Sequence, residues 1–153
     1  MFMSIDPGEN VGFATFSATG EDRMRSVANI KEFRRFYLQM AYDSVKRGDL
    51  DSITFIMEDF TLRQDLAIAQ TGSNMPASRC IGAVEQIDTM LGTKSRIVLV
   101  KAGNLRGSLK WAGFSDLANK PRTWHCPDDI AAYAHGVKYL IDQNLRKHPI
   151  FDE

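Results

Sequence analysis

Residues 4–17, SIDPGENVGFATFS, put an aspartate at the end of an apolar run and follow it at once with Pro-Gly. Ser4 and Ile5 read as the end of one strand, and Val11 to Ser17 as the start of the next. Between them Pro7-Gly8-Glu9-Asn10 is turn chemistry: proline fixes φ, glycine accepts positive φ and asparagine tolerates left-handed geometry. Asp6 therefore occupies the last position of a first strand. A carboxylate there either starts the turn or acts as a ligand, and the choice depends on whether other acids converge on it.

Working outward, Phe2–Asp6, Val11–Ser17 and roughly Arg23–Asn29 are short β-prone runs separated by turn residues, which predicts an antiparallel meander. From Lys31 to Lys46 the apolar residues Phe33, Phe36, Tyr37, Met40, Ala41 and Val45 recur at helical spacing, with a basic outer face, and Gly48-Asp49 ends the helix. Residues 51–60, DSITFIMEDF, are apolar at nearly every position, as expected of a strand covered on both faces. Thr61 to Asn74 reads as irregular or weakly helical. A helix follows from about Pro76 to Leu91, with proline in its first turn and Gly92 just beyond its end. SRIVLV, 95–100, reads as another buried strand, then comes a basic and aromatic loop, then a last helix from about Pro127 to Leu145.

Three hairpin-linked strands followed by strands alternating with helices predict an α/β fold: a mixed five-stranded sheet with helices on both faces. This is the element order of the ribonuclease H-like fold, in which the first and fourth strands run side by side at the centre. Residues 1–153 read as a single domain, with 44% apolar and 25% charged residues, an ordinary globular composition. No run approaches 18 consecutive apolar residues, so no spanning helix and no membrane partner is expected. Cys80 and Cys126, outside any CxxC pattern, together with the lack of a signal-like N-terminus, predict reduced thiols and a cytoplasmic location. Formal net charge is zero, which argues against a basic nucleic-acid coat protein. The segment from Lys101 to Trp124 is nevertheless locally basic: Lys101, Arg106, Lys110, Lys120 and Arg122 stand against Asp116 alone. Trp111, Phe114 and Trp124 interleave with them, a mixture suited to phosphates and stacked bases.

Glu58, in FIMEDF, is a charge inside an apolar strand, and burial makes an ionised carboxylate expensive unless something positive pairs with it. Asp128 and Asp129 fall in the first turn of the last helix. The helix dipole by itself favours acids there by about 0.3–1 kcal/mol. Asp6, Glu58 and one or both of Asp128 and Asp129 nevertheless make an all-oxygen set suited to Mg²⁺ or Mn²⁺. Two such ions per site cleave phosphodiesters by activating a water and stabilising the leaving oxygen.

Four blocks, in order, resemble the RuvC family of Holliday-junction resolvases: SIDPGENVGFA, FIMEDF, SRCIGAVEQI and DDIAAYAHGVKYL. The resemblance spans almost the whole chain and its compact length suits a bacteriophage member. It implies a Mg²⁺-dependent crossover junction endodeoxyribonuclease that nicks four-way DNA as a homodimer, with the first two helices as candidate interface. It also implies an acid or histidine three residues before the final aspartate. Taking Asp129 as final, the preferred reading, puts Cys126 there; taking Asp128 puts His125 there, as a possible general base or second ligand. Phe60 is near the family's aromatic wedge, and Arg106 and Lys110 loosely match its basic loop after strand five, which Lys101 opens. Arg63 and Arg79 flank the preceding loop as candidate phosphate contacts. The competing readings are a nuclease of the same fold acting on flaps or RNA, a sugar-kinase or actin-like ATPase for which 153 residues leave no second lobe, and a non-catalytic DNA-binding module.

Overall fold

The structure is a computed structural model that describes residues 1–8, 10–48, 53–58, 76–100, 104–121 and 123–143, and of residues 22, 23, 58, 76 and 77 the backbone alone. The meander appears as expected: β1 (Phe2–Pro7), β2 (Val11–Phe16) and β3 (Asp22–Ala28). After it come α1 (Ile30–Arg47), β4 (Ile53–Glu58), α2 (Pro76–Leu91) and β5 (Ser95–Val100). Two short helices, α3 (Leu105–Trp111) and α4 (Ser115–Ala118), lead to the last helix, α5 (Asp128–Asp142). The strands form one sheet in the order β3-β2-β1-β4-β5. β1 is antiparallel to β2 and parallel to β4, and β4 is parallel to β5. The fold is therefore ribonuclease H-like, with β1 and β4 adjacent at the centre. Among the described residues no helix is long and apolar enough to cross a membrane.

β4 is central and its apolar run is accounted for: Ile53, Phe55, Ile56 and Met57 are all buried, on alternating faces. β5 corrects the expectation of a second buried strand. It is the sheet edge, with Arg96 exposed and Leu99 half in solvent. Composition alone does not distinguish an edge strand from a central one, because position in the sheet is decided by distant partners.

On one face of the sheet α1 and α2 pack over Met3, Ile5, Phe13, Phe55 and Met57, with Phe33, Tyr37, Val84 and Ile87 filling the interface. The ends of α1 are capped as its sequence allows. Asn29 Oδ1 accepts from the Glu32 amide at 3.0 Å and Glu32 Oε2 accepts from the Asn29 amide at 3.2 Å, a reciprocal capping box. Gly48, at φ 68°, closes the helix in the left-handed region. A half-buried polar knot ties this layer to the sheet edge. The Asp88 carboxylate of α2 accepts from the Tyr37 hydroxyl at 2.8 Å, from the Thr93 hydroxyl at 2.8 Å and from the Ser95 amide at 2.9 Å. Tyr37 also bonds to the Ser95 hydroxyl, and burial pushes its phenol well above the ordinary range.

On the other face α5 lies across β1 and β2, with Tyr133, Val137 and Leu140 against Ala14, Phe16 and Ile56. The helix is buried from Ala131 to Val137 because α3 and α4 cover its far side through Leu109, Ala118, Ala131 and Ala134. The basic segment is thus not simply the expected loop: it contains two short helices, and its apolar residues form a third packing layer. Trp111 and Phe114 join the α5 core and Trp124 packs beside α3 and α4, so these rings are partly withdrawn from solvent. The Arg25 guanidinium lies over Phe114 and Tyr133, 5.4 and 5.7 Å from the ring centroids. Close seating on the sheet comes from Gly136: a Cβ there would stand 2.3 Å from Phe16 Cζ and 3.0 Å from Ser4 Cβ.

Replacing Asp88 with alanine leaves the Tyr37 and Thr93 hydroxyls and the Ser95 amide without their acceptor. The expected cost is about 1–3 kcal/mol, read as a lower urea midpoint with an unchanged m-value.

Candidate active site

The site is built where β1 ends. Asp6 is opposite Gly12 on β2, and Ile5 is opposite Met57 on β4. One step further along these parallel strands, the backbone of Glu58 follows Met57 as Asp6 follows Ile5, and Glu58 is itself opposite Val100. The side chain of Glu58 lies outside the described residues, as do Phe60, Arg63 and Lys101 entirely. The two strand-end acids nominated from the sequence therefore belong to adjacent central strands.

Gly12 brings in the third element. A Cβ at this position would lie 2.1 Å from the Asp128 carbonyl oxygen and 2.6 Å from Asp128 Cβ. Only a residue without a side chain lets the first turn of α5 rest on β2 directly across from Asp6. Asp128 and Asp129 open that helix, half-buried, after Pro127, which makes no side-chain cap. Their position at the N-terminus is favoured by the helix dipole, and this offsets part of the repulsion among neighbouring carboxylates.

His125 and Cys126 precede the helix and differ in setting. The imidazole of His125 is 92% exposed, with Nε2 3.8 Å from Asp128 Oδ1. Cys126 is buried, and its thiol is pushed up to about 11, first by burial and then by the charges of Asp6, Asp129 and Asp128. These three carboxylates thus act on one point from β1 and from α5. Beside these carboxylates the His125 imidazole is a further donor, 3.8 Å from Asp128. Among the described residues no three His, Cys, Asp or Glu side chains are arranged to hold a metal ion. The carboxylate donors themselves suit a hard divalent cation, with the Glu58 carboxylate as the further candidate from β4.

Beside Asp6 opens a cleft of about 370 Å³ between α3, α4 and the segment that leads into α5. Arg106 and Lys120 line it together with His125 and Trp124. Arg106 and Lys110 are both exposed on α3, and the Arg106 guanidinium donates to the Lys120 carbonyl at 2.8 Å. Arg79 is exposed in the first turn of α2, in the layer on the other face of the sheet. Cys80 is buried in that same layer, remote from Cys126. His135 is buried within α5, and Gly82 of α2 faces open space. The roles of Gly12 and of the cleft were not read from the sequence. The glycine was visible in an otherwise apolar strand, yet nothing local marks the helix, more than a hundred residues away, that needs it.

No protein-family model and no curated protein sequence matches the chain. Among solved structures the chain is similar to Thermus thermophilus RuvC in complex with a Holliday junction substrate, at 14% identity and a TM-score of 0.49, covering 94% of this chain and 95% of that one. It is also similar to a second Thermus thermophilus RuvC structure, at 13% identity and a TM-score of 0.43, over 94% and 95% of the two chains. The fold assignment rests on strand order and direction, which stand without these likenesses.

A Gly12→Ala substitution drives a methyl group into the backbone of Asp128. It is expected to destabilise the protein by at least about 1–3 kcal/mol, measured by urea unfolding, while Gly82→Ala, in open space, leaves stability unchanged or slightly raised.

Proposed function

We propose that this chain is a divalent-metal-dependent, structure-specific endonuclease that resolves four-way DNA junctions by paired, symmetric nicks. The observation that carries the reading is that Asp6 ends β1 opposite Gly12, on which the first turn of α5 with Asp128 and Asp129 rests, beside the strand that ends in Glu58. Like charges drawn together at the edge of a core repel unless protonated or bridged by a cation. Carboxylates brought to one end of the sheet from separate elements are costly as mere architecture.

In this reading Asp6, Glu58 and Asp129, with Asp128, hold Mg²⁺ or Mn²⁺, two ions per site. The bound ions supply Lewis-acid stabilisation of developing charge and a lowered pKa for the attacking water. The remaining chemistry belongs to the chain. His125, exposed and next to Asp128, accepts the proton of the attacking water when its imidazole is neutral. Arg106 and Lys110 pair with backbone phosphates and counter the repulsion that the carboxylates exert on DNA. Phe60, Arg63, Arg79 and Lys101 are further candidate DNA contacts.

A four-way junction has two-fold symmetry and needs two coordinated cuts, which an isologous homodimer presents naturally. The outer faces of α1 and α2 offer a surface for it: Leu38, Tyr42 and Met90 are exposed there beside Lys31, Arg34 and Arg35. A nuclease with the same site acting on flaps or RNA would use the same acids, so substrate geometry separates the two readings.

Purified protein with Mg²⁺ is to be incubated with a four-way junction, a flap, a linear duplex and an RNA–DNA hybrid of equal length. Symmetric nicks in the junction alone are expected; preferential cutting of the flap or hybrid would reject junction specificity. Asp6→Asn and Glu58→Gln are each expected to reduce cleavage at least about a hundredfold with junction binding retained, and unaltered cutting by either would remove that residue from the site. Arg106→Ala combined with Lys110→Ala should weaken binding and flatten the slope of log K against log salt by about 2, measured by titration in Ca²⁺ buffers from low to moderate salt.

A further inference from the structure

The cleft beside Asp6 is more elaborate than phosphate binding needs. Its walls include Leu105, Leu109 and Leu117, with Leu109 fully buried, and the half-buried ring of Trp124. Arg106 and Lys120, both exposed, line it as well, and the bond from Arg106 to the Lys120 carbonyl fixes the guanidinium beside it. Asp6 lines the side toward the carboxylates, with His125 beside it. A ligand that was only anionic would have no use for leucines and an indole. A purely apolar ligand would have no use for two cations. A ligand with a flat apolar ring joined to a phosphate satisfies both, and at about 370 Å³ the volume is that of a small-molecule site.

Resting on the nuclease reading, we propose that this cleft receives one unstacked nucleobase of the strand being cut, adjacent to the phosphate presented to the acids. Trp124 is the stacking partner, and Arg106 and Lys120 pair with the phosphate on the other side of that nucleotide. A base in continuous duplex cannot reach such a cleft without leaving its stack, at a cost of a few kcal/mol that falls where pairing is already broken. The cleft therefore favours distorted or branched DNA over linear duplex at the level of a single nucleotide. Since the stacking surface is apolar, it discriminates base from no base more strongly than one base from another.

The test is a double-mutant cycle between protein and DNA. A series of four-way junctions is prepared, each with one abasic nucleotide at successive positions around the cut, and binding is measured in Ca²⁺ so that cleavage does not intervene. For the wild type, one position is expected to weaken binding by about 5- to 150-fold while its neighbours have little effect. Trp124→Ala should show a loss of similar size on the intact junction and no further loss at that abasic position. Trp124→Phe, which keeps a stacking ring, should bind within about threefold of wild type. Losses that simply multiply, or an abasic series with no sensitive position, would overturn the cleft assignment while leaving the nuclease reading intact. Failure to bind any of the junctions would overturn the nuclease reading and this inference with it. Should Trp124→Ala not fold, Trp124→Leu, which removes the aromatic face and keeps apolar bulk, takes its place in the cycle with the same supporting and overturning outcomes.

Discussion

The distance between α5 and the sheet governs most of what this molecule can do. Two glycines set it. Gly12 on β2 leaves room for the backbone of Asp128, and Gly136 leaves room for the ring of Phe16. Between these points the helix is buried on both sides, by the sheet and by α3 and α4. A helix seated this closely delivers its first turn to the ends of the central strands as a rigid element. The acids it carries are then positioned by that packing, at Gly12 through the backbone and Cβ of Asp128 itself. A site built on the ends of packed elements is held more accurately than one built on loops.

The same arrangement concentrates charge in a protein whose formal net charge is zero. Asp6, Asp128 and Asp129 all act electrostatically on Cys126, while Arg106, Lys110 and Lys120 stand on or beside the short helices that cover α5. Overall neutrality is thus a poor guide to local potential, because a cleft with acids at one part and cations at another focuses field on the scale of a nucleotide. The acids repel a bare phosphate and the cations attract it. A divalent ion between the carboxylates would reverse the first effect and leave the second, which links cation binding to substrate binding in sign.

The layer formed by α1 and α2 contributes differently. Its core of phenylalanine, tyrosine and aliphatic residues closes the opposite face of the sheet, and the Asp88 knot joins α1, α2 and the start of β5. The Asp88 knot therefore belongs to the layer opposite the one that seats α5 on the sheet.

Much of this was legible in the residues themselves. The period-two and helical patterns located the strands and the long helices, and the Pro-Gly turn after Asp6 fixed where the first strand stops, since these are local properties of the backbone and of side-chain spacing. The resemblance of four blocks to one nuclease family further anticipated which acids to examine. Three matters were settled only by the folded chain. β5 lies at an edge although its composition is that of a covered strand; the basic segment contains two short helices and its aromatic residues pack inward; and Gly12 accommodates a residue 116 positions away. Each depends on which surfaces meet in three dimensions. Sequence spacing encodes what a segment buries, whereas the identity of the partner that buries it emerges when all the segments compete for the same core.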